Sequence, residues 1–426
     1  MTDSDTQDID VGELRVGHFV FLDLSWIRHP FPLSSFKIQS AEQIKTIRSL
    51  GLRRIRYSPG RSGPESDVIQ PAAMAPTDPC VSETPTAEEM AKSQRRELLS
   101  QQRASLQRCE RQFDNAANAY RQITKSVHAD PQAARVTCEA LVGSLLAELR
   151  GAQEANIRLL AEKVGDRPSL HAINVTVLAL LLGRACCLDD SIMTDIGVGA
   201  LLHDVGKAEL PDRLRFQDQF ERASEQQLFQ EHVAYGVTMA KRMGLTSGAL
   251  LAIGQHHEYA DGTGYPLRAG NDKLHPASRV VSLINHYDNL CNPVNPILAL
   301  TPHEALAQIF AKTRAKFDTT LLNAFVRMMG VYPPGSVVQL SDERYALVVS
   351  VNSSRPLKPR VVVHDPAIPA EEALIVDLES EPSLAICRSL KPLQLPGAAL
   401  AYLSPRKRVC YFFEPARSID DGAIAA

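Results

Sequence analysis

HHEYADGTGYP, residues 256–266, is the stretch on which the reading of this 426-residue chain turns. Neighbours on a helix point about 100° apart, so His256 and His257 cannot share one helical face. The run Asp261 to Pro266 cannot prolong a helix, because Gly262 and Gly264 admit positive φ and Pro266 lacks an N–H. The stretch therefore reads as a helix end followed by a shaped loop. Its purpose depends on what else in the chain can meet the two imidazoles.

Working outward, the same region carries His171 in RPSLHAINV, His203 and Asp204 in GALLHDVGKAELP, and His232 in LFQEHVAYG. A single histidine on an amphipathic helix is usually a satisfied core or surface residue, and His232 alone reads that way. His203-Asp204 differs, because it follows the apolar VGALL and so sits buried at a helix end. A buried aspartate needs a partner, and a metal ion is an effective one. Lys207, three residues on, shares its helical face. Phosphoester cleavage at two adjacent metals needs a carboxylate that bridges both ions, neutral donors to complete each shell, and a cation for the phosphate. Asp204, the imidazoles and Lys207 meet those needs. A histidine-rich set with few carboxylates suits iron, manganese, cobalt or nickel better than magnesium or calcium. No cysteine is placed to make a structural zinc site.

Composition bounds the rest. The length predicts two to three domains, and a hydrophobic fraction of 44% is ordinary for a globular protein. A net charge of −3 with both signs mixed argues against binding a nucleic acid polymer. The polar, acidic MTDSDTQDID is no signal peptide. The apolar run Ile173 to Leu182 is too short to span a bilayer and predicts a buried helix. Eight cysteines without a CxxC pair fit a reducing, cytoplasmic setting.

Residues 1–62 predict a small α+β unit, with a strand in GHFVFLDL, a helix capped by Ser40 and stopped by Gly51, and a closing strand in RRIRYSP. Residues 63–90, rich in Pro, Ser and Ala, predict a flexible linker. The span 91–165 predicts helices. Within it Leu99, Leu106, Phe113 and Tyr120 recur every seven residues, with Gln102, Cys109, Ala116 and Ile123 at the companion positions. That pattern either joins two subunits as a short coiled coil or packs the helix on its own domain, and Gln102 in the seam favours the second. Residues 166–331 predict an all-helical domain. Residues 332–426 predict a small β-rich domain, from VYPPGSVVQL, RYALVVSV, PRVVVHD and ALIVDL. The fold class is mainly α.

His171, HDVGK at 203–207, His232 and HHEYADGTGYP, in this order, resemble the HD-GYP branch of the HD phosphohydrolases. The resemblance covers about 165–330, and GHFVFLDLSWIRHPF resembles a domain of unknown role often found before HD-GYP domains. It implies a helical domain that binds two or three metal ions and hydrolyses cyclic di-GMP to pGpG or GMP. The implied ligands are His171, His203, Asp204, His232, His256 and His257. Lys207 is implied to contact the scissile phosphate, with Asp204 and Lys207 as the catalytic pair. The loop Asp261, Gly262, Gly264, Tyr265 and Pro266 is implied to shape the pocket and to meet GGDEF-type diguanylate cyclases.

The chain departs from the family pattern in three places. In SRVVSLINHYDNLC, Asn285 falls where the family's last ligand is an aspartate, and Asp288, one turn on, is either a substitute ligand or an internal cap. Val294 falls where an arginine grips the nucleotide, leaving Arg268 and Lys273 beside the loop as substitutes. Arg167 replaces the glutamate that holds a third ion in some members, so two divalent ions, iron or manganese, are expected. An active phosphodiesterase is the preferred reading. The alternatives are a catalytically weak sensor of cyclic di-GMP, or a partner-binding module, and a different nucleotide specificity.

Overall fold

The computed structural model describes residues 6–22, 35–50, 52–62, 86–152, 154–161, 167–215, 217, 220–353 and 355–415. The chain separates into two compact units, Met1–Glu83 and Thr84–Ala426.

The first unit is a four-stranded antiparallel sheet in the order β1-β4-β2-β3 with one helix. Its elements are β1 (Gln7–Asp10), β2 (Phe19–Phe21), β3 (Ser35–Lys37), α1 (Ala41–Ser49) and β4 (Arg54–Ser58). The expected cap is present, since the Ser40 hydroxyl accepts from the Gln43 N–H at 3.3 Å. Val11, Val20, Ile38, Ile47 and Ile55 form its buried core. The stop at Gly51, the segment DLSWIRHPF and most of the 63–90 linker lie outside the described residues; within that linker, residues 87–90 already begin a helix.

The second unit begins with a long hairpin of helices, α2 (Ala87–Ser126) and α3 (Pro131–Gly151). Thr86 and Glu89 form a capping box at the start of α2. From Cys109 onward the seven-residue seam packs on its own chain. Phe113, Ala116, Tyr120 and Ile123 are buried with Ala134, Cys138, Val142 and Leu149 of α3. Strand β5 (Ala155–Leu159) follows, then the central helices α4 (Arg167–Ala185) and α5 (Asp190–Leu202). Helix α4 is long and apolar enough to cross a membrane, but 83% of its apolar window is buried inside the protein, as expected of a core helix. The bundle continues through α6 (Asp212–Arg215), α7 (Ala223–Gln230), α8 (His232–Met243), α9 (Ser247–Gln255), α10 (Pro276–Cys291), α11 (Pro302–Lys312) and α12 (Thr319–Met329).

The last stretch holds β6 (Val337–Leu340), β7 (Tyr345–Asn352), β8 (Arg360–Val363), β9 (Ile375–Asp377), β10 (Ile386–Leu390), α13 (Gly397–Leu403) and β11 (Tyr411–Pro415). These strands do not form a sheet of their own. Strand β5, from before the helical bundle, pairs antiparallel with β7 through Asn156–Arg158 and with β11 along its whole length. The seven-stranded sheet thus closes around a strand from the 91–165 span, which had read as helical. Tyr411, Phe412 and Phe413 are buried in the same core as α4 and α10. Burying each such ring contributes about 1.5–3 kcal/mol, so the sheet and the bundle share one core.

Candidate metal centre

Four imidazoles are held from behind. His203 follows α5, with its Nδ1 2.7 Å from the Ala200 carbonyl. His232 opens α8, with Nδ1 2.6 Å from the Phe229 carbonyl. His256 follows α9, with Nδ1 2.7 Å from the Ile253 carbonyl. His171, on α4, sets Nδ1 2.6 Å from Oδ2 of Asp288. Carbonyl and carboxylate oxygens only accept, so each Nδ1 carries the proton and each Nε2 presents a lone pair.

Those lone pairs converge. The Nε2 atoms of His171 and His203 are 3.1 Å apart, and those of His232 and His256 are 3.3 Å apart. At such spacing they repel unless a cation or proton stands nearby. Protonation is disfavoured. Burial holds His171, His256 and His257 below the ordinary imidazole range, and it pushes His232 down to about 4.

Asp204 faces both pairs. Its Oδ2 lies 3.4 Å from Nε2 of His203 and 3.7 Å from Nε2 of His171. Its Oδ1 lies 3.7 Å from Nε2 of His232 and of His256, and has no hydrogen-bond partner although buried. Burial pushes its carboxyl up, but Lys207 and the imidazoles outweigh that and hold it well below the usual carboxylate range. The donors fall into two groups that could each hold an ion: His171, His203 and Asp204, and Asp204, His232, His256 and His257. An orphaned carboxylate oxygen between lone pairs fits a bridged pair of divalent ions.

The HDVGK turn positions Lys207. Residues Val205–Glu209 form a single tight turn against α8, and a Cβ at Gly206 would stand 2.0 Å from the His232 carbonyl oxygen. Only glycine allows that approach. The Lys207 ammonium lies 2.5 Å from Oδ2 of Asp204 and 5.3 Å from the centre of the Phe229 ring, and its side chain is 24% exposed.

His256 points into the centre from the end of α9. His257 belongs to the same donor group as Asp204, His232 and His256, with a buried Nε2 that lacks a hydrogen-bond partner and a ring stacked on Tyr265 at 4.5 Å. Gly264 passes so close to Glu258 that a Cβ would meet its Cα at 2.5 Å. Glu258 itself is fully buried, and its two carboxylate oxygens accept from the N–H groups of Leu267 (2.5 Å) and Ala269 (2.9 Å). It holds the loop in shape. Sequence reasoning missed it, although a charged residue directly after paired histidines is a visible signal. Asp261 serves the turn, accepting from the Thr263 N–H and hydroxyl. Gly262 takes φ 74°, and Pro266 and Arg268 are exposed at the rim.

The 279–294 region settles one alternative. Asp288 is no substitute ligand, because Oδ2 holds His171 and Oδ1 accepts from Asn174 and Asn292. Asn285 is buried, and its Oδ1 accepts from the Asn289 amide at 2.7 Å. Arg167 donates to the Asn292 carbonyl. Lys273 sits in the short turn Asn271–Lys273 after the loop.

A helical bundle that gathers a histidine–aspartate pair and further histidines around one buried carboxylate defines an HD-type domain. Residues 153–321 match the HD domain family, and residues 6–138 match a domain of unknown function, DUF3391. The 153–321 segment thus matches an HD domain, and its 256–266 stretch resembles that of the HD-GYP branch. It is 26% identical to a cyclic di-GMP phosphodiesterase of Pseudomonas aeruginosa, over 83% of this chain and 84% of that protein. It is 30% identical to the 3'3'-cGAMP-specific phosphodiesterase 2 of Vibrio cholerae, over 34% of this chain and 29% of that protein. Among solved structures, an HDG"Y"P protein from Bdellovibrio bacteriovorus aligns with a TM-score of 0.41 at 15% identity, covering 75% of this chain and 98% of that one.

Proposed function

We propose that this chain hydrolyses cyclic dinucleotides at a centre of two divalent ions, opening cyclic di-GMP to pGpG and onward to GMP. The observation that carries the reading is Asp204, whose two oxygens each face a pair of imidazole lone pairs while Oδ1 lacks any partner. His171, His203 and Asp204 would hold one ion, and Asp204, His232, His256 and His257 the other. Iron or manganese suits so many neutral nitrogens and one carboxylate. When bound, the ions provide an activated water and Lewis acidity toward the phosphodiester.

The chain's own residues do the rest. Lys207 stands partly exposed beside Asp204 and donates to the phosphate under attack. The fixed Nδ1 bonds orient the rings of His171, His203, His232 and His256. The Tyr265 ring, backed by His257, walls the pocket on the loop side, and Gly262, Gly264 and Pro266 set the loop's path. Arg268 at the rim and Lys273 after the loop are the candidates for the nucleotide contact that Val294 cannot make. The relatives act on cyclic di-GMP or cGAMP by name, which supports the substrate class.

A second reading is favoured by Asn285. Its oxygen is committed to Asn289 and it brings no charge, which weakens the ion it would serve. The chain would then bind cyclic di-GMP with slow turnover and act through the 261–266 loop on a diguanylate cyclase, as a monomer or a homodimer in the cytoplasm. Incubation with cyclic di-GMP under Mn²⁺ and under Fe²⁺, followed by chromatography, separates the two. Product that disappears with Asp204→Asn supports the enzyme. Bound nucleotide without product under either metal supports the sensor.

A further inference from the structure

Asp288, which holds His171, is itself held by the far end of the chain. Its Oδ1 accepts from two asparagine amides, Asn174 on α4 at 2.8 Å and Asn292 at the end of α10 at 2.9 Å. Each amide has a second hydrogen, and both go to the Val409 carbonyl, at 2.9 and 3.0 Å. Each amide oxygen accepts in turn from the same segment. Asn174 takes the Tyr411 N–H at 2.8 Å, and Asn292 takes the Val409 N–H at 2.9 Å. Asn174, Asp288, Asn292, Val409 and Tyr411 are all at most 5% exposed. The amide orientations are forced, because a carboxylate and a carbonyl can only accept. Every hydrogen of the two amide groups is used, and such fully satisfied buried networks are rigid.

Val409 and Tyr411 lie outside the 153–321 segment that matches the HD domain. Nothing in the histidine pattern calls for them. They reach the site because β11 pairs with β5 beside α4.

We propose that the segment Val409–Tyr411, with Asn174 and Asn292, is a positioning network that fixes Asp288 and through it His171, so that the terminal strand completes the metal centre. This rests on the metal-centre reading above. The network sets which His171 nitrogen carries the proton and where its Nε2 points, and so governs the ion held by His171, His203 and Asp204. The ion on the His232 side depends on it far less, since His232 and His256 are anchored on backbone carbonyls of their own region.

The test is Mn²⁺ titration calorimetry on chelator-treated protein. Asn174→Asp and Asn292→Asp keep the acceptor for the strand N–H but lose both donated bonds. Each should weaken one of two binding steps by about 10–100-fold and leave the other unchanged. In Co²⁺-loaded samples the visible bands of one ion should shift while those of the other stay. Tyr287→Phe removes hydroxyl contacts with Tyr411, at 3.1 Å, and with Cys291, none of them to Asp288, Asn174 or Asn292, and should leave both steps as they are. Unchanged binding in folded Asp variants, or equal weakening of both steps, overturns the proposal. If those variants do not fold, hydrogen exchange of the 405–415 peptide in the wild-type chain decides. Slower exchange on adding Mn²⁺ supports the coupling, and identical exchange with and without bound Mn²⁺ overturns it. A wild-type chain that binds no divalent metal would instead remove the metal-centre reading itself.

Discussion

Replacing Gly206 with alanine should damage the centre without replacing a single ligand. A Cβ at this position would lie 2.0 Å from the His232 carbonyl oxygen and 2.4 Å from the Gly236 nitrogen, and both are backbone atoms of α8. Ordinary contact begins near 3.4 Å, so the turn and the helix must separate by roughly 1 Å or more. Overpacking of this kind costs about 1–3 kcal/mol. The separation also carries His232 away from Asp204, and a misplacement of about 1 Å can cost on the order of 100-fold in rate. The urea midpoint should fall, Mn²⁺ should bind more weakly, and turnover of cyclic di-GMP should drop by about two orders of magnitude. Gly143→Ala is the matched control. It sits in α3 with nothing within 4 Å of its Cβ, and it should stabilise the chain by up to about 1 kcal/mol through helix propensity. A Gly206→Ala protein with an unchanged urea midpoint and unchanged metal affinity would refute the claim that close packing of this turn on α8 builds the site.

Glu258→Gln keeps one acceptor but turns an amide toward the other backbone N–H, so the loop should lose about 1–3 kcal/mol and be cut faster by protease between 261 and 270. Equal cleavage rates would mean that Glu258 does not hold it. His286 is half-buried with a buried, unpartnered Nε2, and desolvation together with Lys316 pushes it down to about 4. The unfolded chain then binds the extra proton between pH 6.5 and 4, so stability is lost as pH falls through that window, by about 2 kcal/mol at pH 5. Urea midpoints at pH 7 and 5 should therefore converge in His286→Leu relative to the wild type, and an identical pH loss in both proteins would dismiss His286 as its source. Asn285→Asp should tighten Mn²⁺ binding by adding a charge where the resemblance places a ligand. Unchanged affinity would put position 285 outside the ligand shell.

Much of the centre was legible because it is local in sequence. Burial of His203-Asp204 follows from the apolar VGALL run, and the helix end at 256–257 follows from the glycines after it. The roles of Asp288 and Glu258 were less visible. Each acts through groups that the fold alone brings near, a histidine 117 residues earlier for Asp288 and the N–H groups of a loop for Glu258. The shared sheet was missed for the same reason. ANIRL is a five-residue run between helices, and its partners lie at 350–352 and 411–415, so no local period announces the pairing. Gln102, the polar residue in the apolar seam, pointed to packing within the chain, and the structure agrees. Its amide both donates to and accepts from the backbone of Ile375, and so caps an edge strand rather than specifying a coiled-coil register.

The most direct measurement is elemental analysis of metal per chain, on protein purified without oxygen or chelator, for the wild type and for Asp204→Asn. The account predicts about two iron or manganese ions per wild-type chain and a clear loss in the variant, because a single carboxylate faces both imidazole pairs. A wild-type chain without transition metal, or a variant that keeps the full complement, would contradict it.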